Sequence, residues 1–150
     1  MGYTLIELVV VIVVMGILAG VAGPRFFSQQ PFNERGYTDE LAAALRHTQK
    51  AAVITGCPAR LIVNAGAYRA AQQAASANSC NTSDTTWSLA VVGFDGNALQ
   101  GTAPSGTTTS PAGTYQFDSE GRLSASPATT LSVGTHSISI DAATGFVQVQ

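Results

Sequence analysis

The feature that most constrains this chain is an unbroken apolar run near its start. Residues 5–23 read LIELVVVIVVMGILAGVAG, and Glu7 is the one ionisable group between Met1 and Arg25. A helix of about 20 apolar residues crosses a bilayer core. Pro24 and Arg25 close the run, and the polar Ser28-Gln29-Gln30 follows. The β-branched stretch inside it does not argue against a helix, because a chain in lipid must satisfy its own backbone hydrogen bonds. A plain anchor accounts for the length but not for Glu7. A cleaved secretory signal could use the small residues Gly20-Val21-Ala22. However, the run is long for a signal core, an acid interrupts it, and no basic region precedes it. A carboxylate in hydrocarbon is costly and marks a functional candidate. No cation of this segment lies within helical reach. Glu7 therefore finds a partner on another chain, is protonated, or stays at the wet surface.

These residues form a recognisable pattern. Gly2-Tyr3-Thr4-Leu5-Ile6-Glu7-Leu8 resembles the prepilin peptidase site of type IV pilins and type II secretion pseudopilins. The resemblance implies cleavage after Gly2 and N-methylation of the new N-terminus at Tyr3. It also implies an assembly role for Glu7 and a helix-loosening role for Pro24. Each Glu7 carboxylate would meet the N-terminal amine of a neighbouring subunit, so that each buried charge has its partner between chains. Family leaders usually carry Lys or Arg before the glycine, whereas this chain has only Met1. The expectation is a trimmed leader or a misassigned start, with residues 1–2 as its remnant. The implied location is the bacterial inner membrane, crossed once, before assembly, and a periplasmic or cell-surface filament afterwards.

Beyond the run, Pro31 and Gly36 read as a break. Thr38-Asp39-Glu40-Leu41 reads as a helix start, with Thr38 as N-cap. Leu41, Leu45, Thr48 and Ala52 then share one helical face. His47 and Lys50 fall elsewhere and are expected in solvent, and Gly56 with Pro58 ends the helix. The expected organisation is an N-terminal helix over 3–56, with a membrane and packing part over 3–24 and an amphipathic stalk at about 37–56. A β-rich head over 57–150 follows, and the fold class is α+β with an antiparallel sheet.

In the head, 60–63, 87–92 and 115–117 read as strands, with 87–92 in the core. Residues 136–140 and 146–149 read as a hairpin. Residues 70–83 and 101–113, rich in Ala, Ser and Thr, read as loops. Cys57 and Cys80 are the two cysteines of the chain. An even pair in an exported protein reads first as a disulfide, and second as two unrelated buried thiols. The bridge would close a loop of about 24 residues, worth roughly 3 kcal/mol.

Phe117-Asp118-Ser119-Glu120-Gly121-Arg122, and Ile138-Ser139-Ile140 leading to Thr144-Gly145-Phe146-Val147, resemble a group of minor pilins and pseudopilins. That group includes the H pseudopilins of type II secretion and the T-type fimbrial minor pilins. A closer resemblance, carried by Asp39-Glu40-Leu41, Ala43-Ala44-Leu45-Arg46 and Gly56-Cys57-Pro58, is to the C-type minor pilin of mannose-sensitive haemagglutinin (MSHA) pili. The partners implied are other pilin subunits through the N-terminal helix, the inner membrane and the prepilin peptidase.

No nucleophile elbow, zinc-protease, phosphate-loop or dinucleotide motif is present in the sequence. No catalytic residue, metal site or cofactor is therefore expected. Asp118 and Glu120 beside Gly121 read as a β-turn rather than paired acids, and Asp95-Gly96-Asn97 as a hairpin turn rather than a calcium loop. Two further roles stay open. A major pilin carries the same N-terminal code. A DNA-binding tip subunit would need clustered cations, whereas the head offers Arg122 and Arg69 against an acidic balance, in a chain of net charge −2.

Overall fold

In the computed structural model, the described residues are 2, 4–26, 30–76, 79–81 and 83–150. For 21–26, 75–76 and 79 the description covers the backbone alone. The chain divides into two compact units, Met1–Pro31 and Phe32–Gln150.

The first unit holds helix α1, Leu5–Phe26. Its apolar side chains are exposed on every face, from Leu5 at 81% through Val9 at 44% to Leu18 at 61%. The helix does not stop at Pro24 but runs on to Phe26, since one proline removes a single i→i−4 bond rather than a whole helix. Among the described residues no helix is long and apolar enough to cross a membrane. The described side chains of α1 cover residues 5–20, short of the ~20 that a span needs.

Helix α2, Gln30–Thr55, starts well before the expected Thr38. Pro31 is tolerated because the first helical turn has backbone N–H groups without intrahelical partners. Thr38 is therefore no N-cap. It is buried in mid-helix, and its hydroxyl donates to the Glu34 carbonyl at 2.7 Å. Tertiary burial of Tyr37 and Thr38 outweighs the helix cost of Gly36. The predicted face is buried: Leu41, Leu45, Thr48 and Ala52 are each 0% exposed, with Tyr37 and Ala44 beside them. Gly56, at φ +65°, ends the helix in the left-handed conformation that glycine adopts without a Cβ penalty.

The strands follow in chain order. β1 is Ala59–Asn64, β2 Ala67–Gln72, β3 Ala75–Ser76, β4 Ser79–Cys80, β5 Leu89–Ala90 and β6 Gln100–Thr102. β7 is Thr109–Ser110, β8 Gly113–Phe117, β9 Leu123–Ala125, β10 Thr130–Val133, β11 His136–Ile140 and β12 Val147–Val149. One antiparallel sheet runs β5-β2-β1-β8-β9, with β6 also on β2; a second runs β12-β11-β10-β7; β3 and β4 form a short pair. The fold is α+β, a helix followed by antiparallel sheet, as the sequence implied. Both larger sheets place alternate residues against α2: Leu61 and Val63 of β1, Tyr115 and Phe117 of β8, Leu131 and Val133 of β10, Ile138 and Ile140 of β11. This is the period-2 burial of a half-covered sheet.

Three expectations change. Residues 70–83 are not one loop, because Ala70, Ala71 and Gln72 are buried in β2. Residues 101–113 contain parts of β6 and β8 and all of β7. Small side chains build strands here because the space is already filled. A Cβ at Gly101 would collide with the Tyr68 ring and the Glu40 carboxylate. Thirdly, 87–92 is not a core strand. β5 is a two-residue exposed edge, Val91 alone is buried there, and Trp87 instead lies over the Arg60 guanidinium at 4.6 Å.

Candidate functional site

At the start of α1, Glu7 Oε2 accepts from the Thr4 backbone N–H and from the Thr4 hydroxyl, each at 3.2 Å. The Glu7 N–H donates to Thr4 Oγ1 at 3.4 Å. This is a reciprocal capping box, with the carboxylate also favourably placed at the helix N-terminus. The Thr-x-x-Glu spacing ahead of an apolar run is its signature in the sequence. Within one chain, then, Glu7 already has hydrogen-bond donors, and among the described residues no cation pairs with it. Gly2 is exposed in open space. Tyr3, the expected methylated N-terminus, lies outside the described residues.

The cysteines are bonded: Cys57 and Cys80 form a disulfide with Cα atoms 5.3 Å apart. It ties Cys57, two residues beyond the end of α2, to β4. The loop beyond it is organised by Asp84, a buried carboxylate. Asp84 accepts from Thr86 (hydroxyl 2.6 Å, N–H 3.0 Å), the Trp87 N–H, Ser88 (N–H and hydroxyl) and the Ala74 N–H. The Thr86 hydroxyl first, then the backbone donors of Ser88 and Ala74, hold its carboxyl far below the usual carboxylate range.

Polar side chains of α2 fasten the sheets to the helix. Tyr68 donates to Glu40 at 2.6 Å; burial first, and then this bond to Glu40, push the Tyr68 hydroxyl up. Arg46 donates through Nε and Nη2 to the Val147 carbonyl at 3.2 and 3.0 Å. Gln49 Nε2 donates to the carbonyls of Gly121 and Thr144 at 2.9 and 3.0 Å, pinning two loops together. A Cβ at Gly145, φ +68°, would meet the Gly121 carbonyl, so this close approach requires glycine.

The turn readings hold. The Gly121 N–H donates to the Asp118 carbonyl at 3.0 Å, and the Asp118 carboxylate accepts from the Glu120 and Arg122 N–H groups. Asp95 accepts from Asn97 through backbone and side chain. His47, expected in solvent, is half-buried, with Nε2 2.7 Å from the Val92 carbonyl and its ring 4.8 Å from that of Phe94. Among the described residues no group of three or more His, Cys, Asp or Glu could hold a metal.

The helix-and-two-sheet unit is the part that decides kinship. Residues 37–146 match the family described as Type II transport protein GspH. The chain belongs to the GspH family. Residues 2–23 match the prokaryotic N-terminal methylation motif, which includes Gly2, Tyr3 and Glu7. The type IV narrow pilus major component PilA5 of Thermus thermophilus is 42% identical over 53 residues. That match covers 35% of this chain and 46% of the relative, so this chain spans less than half of that relative's length. No solved structure matches the chain. A GspH-family chain with this motif is a type IV pilin or pseudopilin, a structural and non-enzymatic subunit.

Proposed function

We infer that the chain is a minor pilin or pseudopilin that primes, caps or helps assemble a type IV pilus or type II secretion filament. The observation that carries this reading is the described part of α1, residues 5–20, whose apolar side chains are exposed on all faces. A helix of that kind is stable only when its whole circumference is covered. Lipid covers it before assembly and neighbouring α1 helices cover it afterwards. Cleavage after Gly2 frees an amine at Tyr3, and the Glu7 carboxylate of an adjoining subunit is its ionic partner. Transfer from membrane to filament thus exchanges the Thr4 cap of Glu7 for a charge pair between chains. The C-type minor pilin of MSHA pili is the subfamily that the α2 and Cys57 segments resemble.

Two other readings have specific observations bearing on them. The name of the PilA5 relative, a major component, favours a major pilin. The DNA-binding tip loses its best cation, because Arg122 is engaged by Asp118 at 3.1 Å and by Glu120.

The test replaces Glu7 and Thr4 separately in the native organism. Glu7→Ala is expected to leave membrane insertion intact and to abolish incorporation into sheared filaments. Thr4→Val, which removes only the cap, is expected to incorporate. Normal incorporation of Glu7→Ala would overturn the role given to Glu7. Intact mass of the mature protein should show an N-methylated terminus at Tyr3.

A further inference from the structure

The larger sheet buries Leu61, Val63, Tyr115 and Phe117 on its α2 side, so the alternate residues of these strands face the other way. On that second face Gln100, Arg69, Ile62 and Thr114 stand in register across β6, β2, β1 and β8, and Ala71, Arg60 and Gln116 form the next row. Neither row contains an acid, yet together they hold two arginines. Arg60 and Arg69 are diagonal neighbours, within reach of each other for long side chains. Arg69 is exposed and Arg60 half-buried, and among the described residues neither guanidinium has an ion pair or a hydrogen bond. The acids of the surrounding elements are engaged elsewhere: Glu40 behind the sheet by Tyr68, Asp84 by its own loop, Asp95 by Asn97 and Asp118 by Arg122. Burial first, and then the charge of Arg69, push the Arg60 guanidinium below its ordinary range, and Asp84 opposes them by less. Trp87, its ring 4.6 Å over Arg60, holds φ +56°, a strained conformation for a bulky residue. Strain of this kind collects at binding sites. Beside Arg69 lies an open hollow of about 390 Å³, walled by Asn64, Arg69, Gln100 and Thr102.

We propose that this face binds an acidic polysaccharide. One uronate carboxylate sits on Arg69, Asn64, Gln100 and Thr102 bond the hydroxyls of the sugar in the hollow, and Arg60 adds a second positive charge beside them. The composition of the face selects this class of ligand. A protein partner needs a large apolar anchor at the centre of the contact, whereas the largest apolar side chain of the two rows is Ile62, half-buried between Arg69 and Thr114. A nucleic acid needs cations along a continuous backbone, whereas these rows offer two, in a chain of net charge −2. Carboxylates spaced along a sugar chain need less positive charge. An arginine fork matches each carboxylate, and neutral amides and hydroxyls match the hydroxyls between them. This binding role is additional to the filament role and uses neither Glu7 nor α1.

The experiment titrates the full chain in detergent with oligogalacturonate and with hyaluronan oligosaccharides, and follows backbone amide shifts by NMR. Saturable shifts are expected at Asn64, Arg69 and Gln100. Arg69→Gln, an exposed change that leaves the rest of the spectrum in place, should weaken binding about tenfold. Arg69→Lys keeps the charge but not the fork and should recover only part of that loss. Gln100→Ala should weaken binding roughly two- to fivefold, and the methyl-esterified galacturonate, which has lost its charges, should not bind. Four results would each overturn the proposal: no saturable shift with either uronate, full affinity in Arg69→Gln, equal binding of the methyl ester, or tighter binding of oligoglutamate or single-stranded DNA, which would give the face to a protein or a nucleic acid. Glu7→Ala is titrated alongside and should bind normally. A defect in filament incorporation with intact sugar binding, or the reverse, therefore separates the two roles.

Discussion

Helices α1 and α2 are of similar length, 22 and 26 residues, but they bury their apolar surface in different ways. In α2 one apolar stripe, Tyr37, Leu41, Leu45 and Ala52, is covered completely by two sheets of the same chain, while Phe32, Val53 and Ile54 near its ends stay exposed. In α1 the apolar residues surround the helix, and the chain covers none of the described ones. The energy of α2 is thus spent within the molecule and appears as stability of the head. That of α1 is released only against lipid or other subunits, and appears as membrane residence and assembly. One chain separates the two by pattern alone: a period of 3.6 in α2, and no polar face at all in α1.

The comparison breaks most visibly in the core. Leu45→Ala should cost the head about 2–5 kcal/mol, read by heat denaturation of the full chain in detergent. Leu8→Ala, on the exposed face of α1, should leave that transition unmoved. A shift of equal size for both would mean that α1 is part of the folded core. Next in size is the disulfide. Cys57→Ser with Cys80→Ser should lower head stability by roughly 3 kcal/mol while membrane extraction of the protein stays unchanged.

Smaller effects sharpen the contrast. Arg46→Met keeps the stem but removes both donors to the Val147 carbonyl. It should cost roughly 1–3 kcal/mol and loosen β12 first, seen as faster amide exchange at Ser137, whose N–H donates to the carbonyl of Gln150 at the end of that strand. Asp84 gives the head an acid limit. Its folded pKa is depressed, so its contribution is complete above the ordinary carboxylate value of about 3.9 and is lost as pH falls from there toward the folded value. Asp84→Asn should flatten stability against pH in that acid window and leave the pH response of α1 membrane binding as it is. The smallest change is Thr4→Val, worth about 1 kcal/mol of local helix stability, visible as fraying of the first α1 turn without loss of assembly.

Local chemistry was legible where it did not depend on a distant neighbour. The apolar run, the lone Glu7, the face of Leu41, Leu45, Thr48 and Ala52, strand β1, the alternation of Tyr115 and Phe117, and the β11–β12 hairpin all follow from periodicity. So do the two acidic turns, whose Asp carboxylates cap their own backbone. The Thr4–Glu7 cap is equally local, since the Thr-x-x-Glu spacing alone brings the two side chains together.

Tertiary structure decided the rest. Gly36 and Pro31 read as a break, but the helix continues because burying Tyr37 and Thr38 gains more than glycine costs there. Ala70, Ala71 and Thr109 look like loop residues, but they are strand residues, because β2 pairs with β1 and β7 with β10. Trp87 looks like core, but it covers Arg60, a residue 27 positions away in sequence. By itself the sequence determined which surfaces must be covered, since hydrophobicity and its period are local properties. Which surface covers which was set by volume and by long-range hydrogen bonds such as Arg46 to Val147 and Gln49 to Gly121 and Thr144, and these exist only once the sheets have closed on α2.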